Sequence, residues 1–395
     1  MKPGPTYALQ SVTKFWFAAL MQTKKHPLLS TYLGTEREIV SFHYGDGKPG
    51  QKIYIQASLH ADELPGMLVA HHLRRRFAEL EAAGKIRGEI VVVPVANPVG
   101  LAQTLLHTQV GRFEMATGQN FNRHYPAMYP AIADHVESTL SIDEASNARV
   151  VRAAMLAELD ALVPKTELES MRRALMRLAC DADVMLDLHC DSDAVLHLYT
   201  GTPLWAQCEP LARYLGAYAT LLATESGDNP FDEACSQTWW QLAEHFSNRS
   251  PPIPIPMACL SVTVELRSQT EVSHALAMQD AENIIFFLTH RGVIDGVAPP
   301  LPALKYPATP LAGSEAIESP VSGVVAFMKN PGDWIHAGDT IAEVINPLTS
   351  EVTTLVSHTD GVLYALENRY FATAGMRLAK VAGAKAFRTG KLLGA

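Results

Sequence analysis

Residues 52–66 read KIYIQASLHADELPG, and the fold follows from how that stretch divides. Lys52 to Ser58 alternates weakly around Ile53, Tyr54 and Ile55, a strand pattern. Pro65-Gly66 then opens a helical pattern that runs to about Glu81, with Gly84 as its stop. His60-Ala-Asp-Glu63 therefore lies between a strand end and a helix start, where α/β proteins build their sites.

Working outward, Glu89 to Val95 (EIVVVPV) is a nearly continuous β-branched run, suited to a central strand covered on both faces. Asn97-Pro98-Val99-Gly100 ends it in a turn. Residues 131–181 are Ala-, Leu-, Glu- and Arg-rich without an interior glycine, which predicts helix, split in two by Pro164. Val184 to Leu188 reads as a buried strand ending at His189, and Val195 to Tyr199 as a further strand. Leu260 to Leu266 (LSVTVEL) alternates, with Ser261, Thr263 and Glu265 on one face. Gln279 to His290 resumes a helix. Strands alternating with helices predict a layered α/β domain over residues 1–300.

Prolines 299, 300, 302, 307 and 310 mark residues 301–313 as a stiff connector. Residues 314–383 then become short strands broken by glycine. Ser319-Pro-Val-Ser-Gly323 is echoed by Ser357-His-Thr-Asp-Gly361, Ala337-Gly338 by Ala374-Gly375, and Ala342-Glu-Val344 by Ala379-Lys-Val381. The near-constant offset predicts two similar β halves folded together. Residues 384–395 read as a loose tail.

The 395 residues are 48% hydrophobic and 18% charged, enough for a large core. The net charge is -9 at pH 7. Arg74 to Arg76 lies in a helical pattern as a solvated face, so nucleic acid is not an expected partner. The 5 cysteines are odd in number and form no Cys-x-x-Cys pair, which reads as reduced thiols in a cytoplasmic protein. The apolar patch from Phe15 to Met21 lacks the layout of a signal peptide, and no apolar run reaches bilayer length, so no membrane association is expected.

Two histidines and a glutamate on strand ends make an open zinc site with a position left for water. His-x-x-Glu is short and, alone, reads rather as an exposed helix-start histidine with a carboxylate near the helix dipole; its place at a strand end and the second histidine ending a buried strand change that weighing. Asp187 shares a side of its strand with His189 and suits a role in orienting it. Glu265 faces either solvent at an edge or a cleft. Arg123 offers a planar fork for a carboxylate, and Arg112 lies in the same loop region. Each arginine taken separately reads as a surface ion-pair partner.

With these residues in hand, the chain resembles the succinylglutamate desuccinylase/aspartoacylase family of the zinc carboxypeptidase superfamily, over about residues 48–383. The matching motifs, in order, are His60-x-x-Glu63, Asn97-Pro98, Asn122-Arg123-x-x-Pro126, Asp187-Leu-His189 and Thr263-Val-Glu265. The resemblance implies a three-layer α/β/α domain with a mixed sheet, and one zinc per chain at His60, Glu63 and His189. It implies Glu265 as general base and acid, Arg112 as carbonyl polariser, and Asn122 and Arg123 as a clamp for a substrate carboxylate. Arg267 and His124-Tyr125 depart from the family pattern. Arg267 reads as a surface residue, and Asp191 and Asp193 as a solvated acidic loop. The C-terminal segment resembles the β barrel-sandwich of biotinyl and lipoyl carriers. It has no lysine between Lys329 and Lys380, so neither biotin nor lipoate is expected; shielding of the site or an interface is.

The resemblance thus implies a zinc-dependent amide hydrolase acting on a small N-acyl amino acid. The alternatives are a metallocarboxypeptidase for short peptides and a non-catalytic zinc-binding member. An N-acetylated diamino acid is one concrete substrate. Cobalt or manganese can use the same donors, and homo-oligomerisation is open.

Overall fold

A computed structural model describes residues 21–45 and 49–394. Apart from Met21, the apolar patch at residues 15–21 lies outside the described residues. A large mixed sheet of 9 strands forms the body. Its spatial order is Gln22–Pro27, Glu38–Tyr44, Glu89–Val93, Lys52–Ala57, Val184–Asp191, Leu260–Ser268, His197–Gly201, Ala219–Ala223 and Thr309–Pro310. The strands Lys52–Ala57, Val184–Asp191 and Leu260–Ser268 are parallel neighbours, so their C-terminal ends share one edge.

Alternation along these strands sorts side chains into two cores. Ile53, Ile55, Val184 and Leu186 pack under the helices Pro65–Ala82, Trp205–Leu215 and His274–His290. Tyr54, Val91, Val93 and Met185 pack on the opposite face, under Tyr129–Glu137, Glu144–Ala161, Glu167–Ala179 and Phe231–Phe246. The sheet is thus covered by helices on both faces, which is why Ile53 to Ile55, Ile90 to Val93 and Val184 to Leu186 are apolar on both sides.

The region expected as two helices is three. The unpredicted break falls before Asp143, whose side chain caps the next helix by accepting from the Ala145 N–H. An N-cap aspartate after Ser141-Ile142 carries that signal, and the helical composition around it hid the cue.

Beyond the large sheet, the chain forms a sheet ordered Ser314–Glu318, Arg377–Gly383, Gly361–Leu366, Trp334–Ile335, and a second ordered Val352–Val356, Thr340–Ile345, Gly323–Phe327, Phe371–Ala372. Ile317, Val325, Ile341, Val344, Leu363 and Val381 make their shared core. The echoed glycines have one cause. A Cβ on Gly323 would lie 2.4 Å from the Ile345 carbonyl, and one on Gly361 would lie 2.2 Å from that of Ala382.

Within the Pro-rich connector expected at residues 301–313, Thr309–Pro310 is not free of the large sheet but adds its outermost strand, paired to Leu221 and Leu222. A proline is tolerated there because an edge needs no second row of N–H donors. The tail is not loose either. The Phe387 and Arg388 N–H groups donate to the Ala312 carbonyl, and Leu392 is buried beside Tyr364 and Leu221. The two units also share a strand pairing, Asp193–Ala194 against Leu366 and Ala365.

Candidate metal centre

The Lys52–Ala57 strand ends one turn before His60. Ser58, at a positive φ of 67°, turns the chain out of the sheet. Asn97 pins the turn: its Nδ2 donates to the Leu59 carbonyl at 2.9 Å while its Oδ1 accepts from the Gly100 N–H at 2.7 Å. Gly66 lets the following helix press on the neighbouring strand, since a Cβ there would come within 2.8 Å of the Leu188 carbonyl. Glu63 is thereby carried to His189.

His60, Glu63 and His189 converge, with a ligand atom of each within 4.8 Å of the others, and all three are buried. The two imidazoles present the same atom. His60 Nδ1 lies 2.9 Å from Glu63 Oε1, and His189 Nδ1 lies 2.8 Å from Glu63 Oε2. Their outer nitrogens face polar groups, His60 Nε2 toward Asn120 Oδ1 at 2.9 Å and His189 Nε2 toward Asp187 Oδ2 at 3.0 Å. At His60 the Asn120 oxygen favours an outward Nε2 proton and an inward Nδ1 lone pair, as a metal ligand requires, and the carboxylate beside His189 Nε2 favours the same tautomer there. Asp187 is fully buried and neither oxygen has a protein hydrogen bond of good geometry. The set fits a metal ion by its chemistry, two neutral nitrogen donors and a carboxylate.

Without an ion, the buried charges of the centre shift one another. Burial would raise Glu63, but His60 and His189 outweigh it and hold the carboxyl well below its usual range. Burial and then Arg112 push His60 down to about 4. Burial would also lower His189, but Asp187 and Glu63 hold it well above its ordinary value.

Glu265 is paired in register with His189 on the adjacent parallel strand. It faces the cleft and not an open edge: it lines a chamber with His60, His189, Arg112, Asn122 and Arg123. Burial, then the charge of Glu63, pushes its carboxyl up to about 8. Arg112 Nη1 lies 3.2 Å from Glu63 Oε1 and 3.2 Å from His60 Nδ1. Asn122 accepts from the Phe231 N–H through Oδ1, which ties it to the start of the helix Phe231–Phe246.

Arg123 is only 6% exposed, yet among the described residues no carboxylate forms an ion pair with it. Its acceptors are carbonyls, Asn122 O at 2.6 Å and Gly394 O at 2.7 Å. Its Nε has no partner.

All seven residues singled out from the sequence are in or beside one chamber. Asn120, Tyr199, Asp232 and Lys380 were missed. Asn120 stands two residues before Asn122 and was a legible polar neighbour. Asp232 opens a helix that the sequence pattern did not reveal, and burial foremost pushes it up to about 6. Lys380 arrives from the C-terminal β unit and pairs with Asp191 at 2.5 Å. Asp191 is therefore part of the chamber wall, not a solvated loop. Arg267 stays outside: its guanidinium pairs with Asp280, on the helix His274–His290.

The family model described as Succinylglutamate desuccinylase/Aspartoacylase catalytic domain matches residues 49–291. The chain is similar in structure to a succinylglutamate desuccinylase/aspartoacylase family protein from Shewanella amazonensis SB2B. The identity is 27%, the TM-score 0.79, and the match covers 92% of this chain and 98% of that one. A protein of the same description from Shewanella frigidimarina NCIMB 400 is 24% identical, with TM-score 0.78 over 92% and 97% of the two chains. The product-bound ectoine utilization protein from Ruegeria pomeroyi shares the fold at 15% identity, with TM-score 0.66 over 92% and 95%. Among curated proteins, none matches the chain.

Proposed function

This chain belongs to the succinylglutamate desuccinylase/aspartoacylase family, and from that premise we propose that it is a zinc-dependent hydrolase that removes the acyl group from a small N-acyl amino acid. The observation that carries the reading is Arg123, a buried guanidinium that no carboxylate among the described residues pairs with, on the wall of the chamber that also holds His60, His189 and Glu265. Burial lowers the Arg123 guanidinium below its ordinary value although Asp232, Asp228 and Glu233 favour its charge from a distance, and a buried cation without a directly paired anion costs on the order of several kcal/mol. A substrate carboxylate supplies the missing charge through a planar fork.

In this reading His60, Glu63 and His189 hold zinc. When bound, the ion supplies a Lewis acid and an activated water at neutral pH. Glu265 accepts the proton of the attacking water and returns it to the departing amine. Arg112 donates toward the carbonyl oxygen as negative charge develops there. Arg123 and Asn122 hold the free carboxylate and so fix where the amide lies, a positioning effect. Asn120 and Asp187 keep the imidazoles turned so that Nδ1 faces inward.

A carboxypeptidase would need an open groove for a peptide. The shared strand pairing Asp193–Ala194 to Ala365–Leu366 and the Lys380–Asp191 contact close one side of the chamber. That supports the small-substrate reading, and a shielding role for the barrel-sandwich unit at residues 314–383.

The test compares an N-acyl amino acid with its C-terminal amide. The free acid should be preferred by roughly 100-fold in kcat/KM, and Arg123→Met should remove that preference while zinc is retained. Equal rates on acid and amide would contradict the clamp.

A further inference from the structure

The chain's own residues 391–394 lie against the catalytic chamber. Leu393 is in the wall of the chamber that holds His60, His189 and Glu265, and Gly394 is in the wall of the larger cleft outside it. Arg112, Asp191 and Lys380 line both spaces, so the two residues stand at the throat between them.

The segment is anchored. Lys391 Nζ pairs with Asp228 Oδ2 at 2.7 Å. The Leu392 and Leu393 N–H groups donate to the Ser226 carbonyl at 2.9 and 3.2 Å. Arg388 donates to the Leu392 carbonyl, and the Leu392 side chain is buried with Ala194, Leu221 and Tyr364. Past that anchor, the Gly394 carbonyl receives Arg123 Nη2 at 2.7 Å. A main-chain oxygen of the protein thus takes a donor of the guanidinium that no carboxylate among the described residues pairs with.

Size points the same way. The chamber holds about 90 Å³, and the outer cleft about 800 Å³. Small-molecule sites run to roughly 300–1,000 Å³. With Leu393 in place the chamber takes a few waters and not an acylated amino acid.

We propose that Leu393 and Gly394 are an intramolecular ligand of the substrate-carboxylate subsite, and that a substrate binds by displacing them from Arg123. This rests on the reading of Arg123 as the carboxylate clamp. Lys391 and Leu392 keep the segment tethered, so the displaced residues stay beside the throat and compete with substrate at high effective concentration.

Two measurements on the metal-loaded protein test it. The first ends the chain after Leu392, which keeps the buried anchor. It should raise kcat/KM on an N-acyl amino acid at least fivefold, through a lower KM. Lys391→Glu, which only loosens the anchor at Asp228, should give a smaller change of the same sign. Unchanged or lower kcat/KM in the shortened chain, with zinc retained, overturns the proposal.

The second is independent of turnover. All five native cysteines are buried, so the thiol introduced by Leu393→Cys can be followed with a maleimide. Adding Arg123→Met should speed its modification at least tenfold, because the carbonyl loses its donor; an unchanged rate overturns the proposal. If no form hydrolyses any N-acyl amino acid, the deacylase reading fails, and the thiol rates still decide whether the segment occupies the site.

Discussion

Lys380 Nζ lies 2.5 Å from Asp191 Oδ2, joining the last long strand of the C-terminal β unit to the strand that carries His189. Burial alone would raise Asp191, but Lys380 and then His197 draw it below its usual range. The pair holds the β unit over the chamber and sets the charge of its wall. Lys380→Met should leave Asp191 without its lysine beside the proposed metal ligands. It is expected to cost about 1–2 kcal/mol of stability, allowing for the partly wetted ammonium, and to lower kcat/KM at least tenfold with zinc retained. Thermal unfolding, metal analysis and steady-state kinetics check the three together; undiminished activity would separate the β unit from the reaction.

Asn120 accepts from the outer nitrogen of His60 and also from the Asn122 N–H at 2.8 Å. One amide oxygen therefore orients a proposed metal ligand and a member of the proposed carboxylate clamp. Asn120→Ala should weaken zinc binding roughly 10–100-fold. A chelator-competition titration measures it, and wild-type affinity would remove Asn120 from the centre.

Glu265 is pushed up to about 8, foremost by burial, so in the metal-free protein it carries a proton at pH 7. A bound dication favours the carboxylate, so metal binding releases that proton. The wild type should release about one more proton per zinc at pH 7 than Glu265→Gln does, and the excess should vanish as pH rises past 8. The Glu265 contribution therefore makes zinc binding tighten with rising pH until the carboxyl is already ionised. Calorimetry in buffers of different ionisation enthalpy counts the protons. Equal release by the two proteins would mean that Glu265 does not sense the ion.

Arg267 adopts a φ of 64° just past Glu265, and its side chain closes on Asp280, which is 3% exposed. Its task is to neutralise a buried carboxylate. Arg267→Ala should destabilise by about 3 kcal/mol and leave substrate preference unchanged. A shift in the preferred acyl group would instead make Arg267 a reader of substrate.

Much of the centre was legible because its residues lie in or just beyond the C-terminal halves of strands that apolar and β-branched runs mark. His189 and Glu265 end up side by side because their strands are parallel neighbours in register, and β-branched runs announce such strands. Lys380 was not legible. Only the packing of the C-terminal unit onto residues 193–194 carries it to the chamber, and no local pattern encodes a contact between such distant segments. The helix Phe231–Phe246 was missed for a related reason: its buried face mixes Asp232, Glu233, Ser236 and Thr238 with Phe231 and Trp239. The apolar stripe is broken where the helix borders the site. The tail read as loose because it lacks periodicity, although single contacts to Ala312, Ser226 and Asp228 hold it.

Metal-dependent deacylation is tested by amine release from acetyl, succinyl and formyl amino acids. The panel is run with the purified protein, the chelated protein and the zinc-restored protein. The expected result is release of free amine from one small N-acyl amino acid, abolished by chelation and recovered with zinc. No release from any of them by protein carrying one zinc per chain would contradict it.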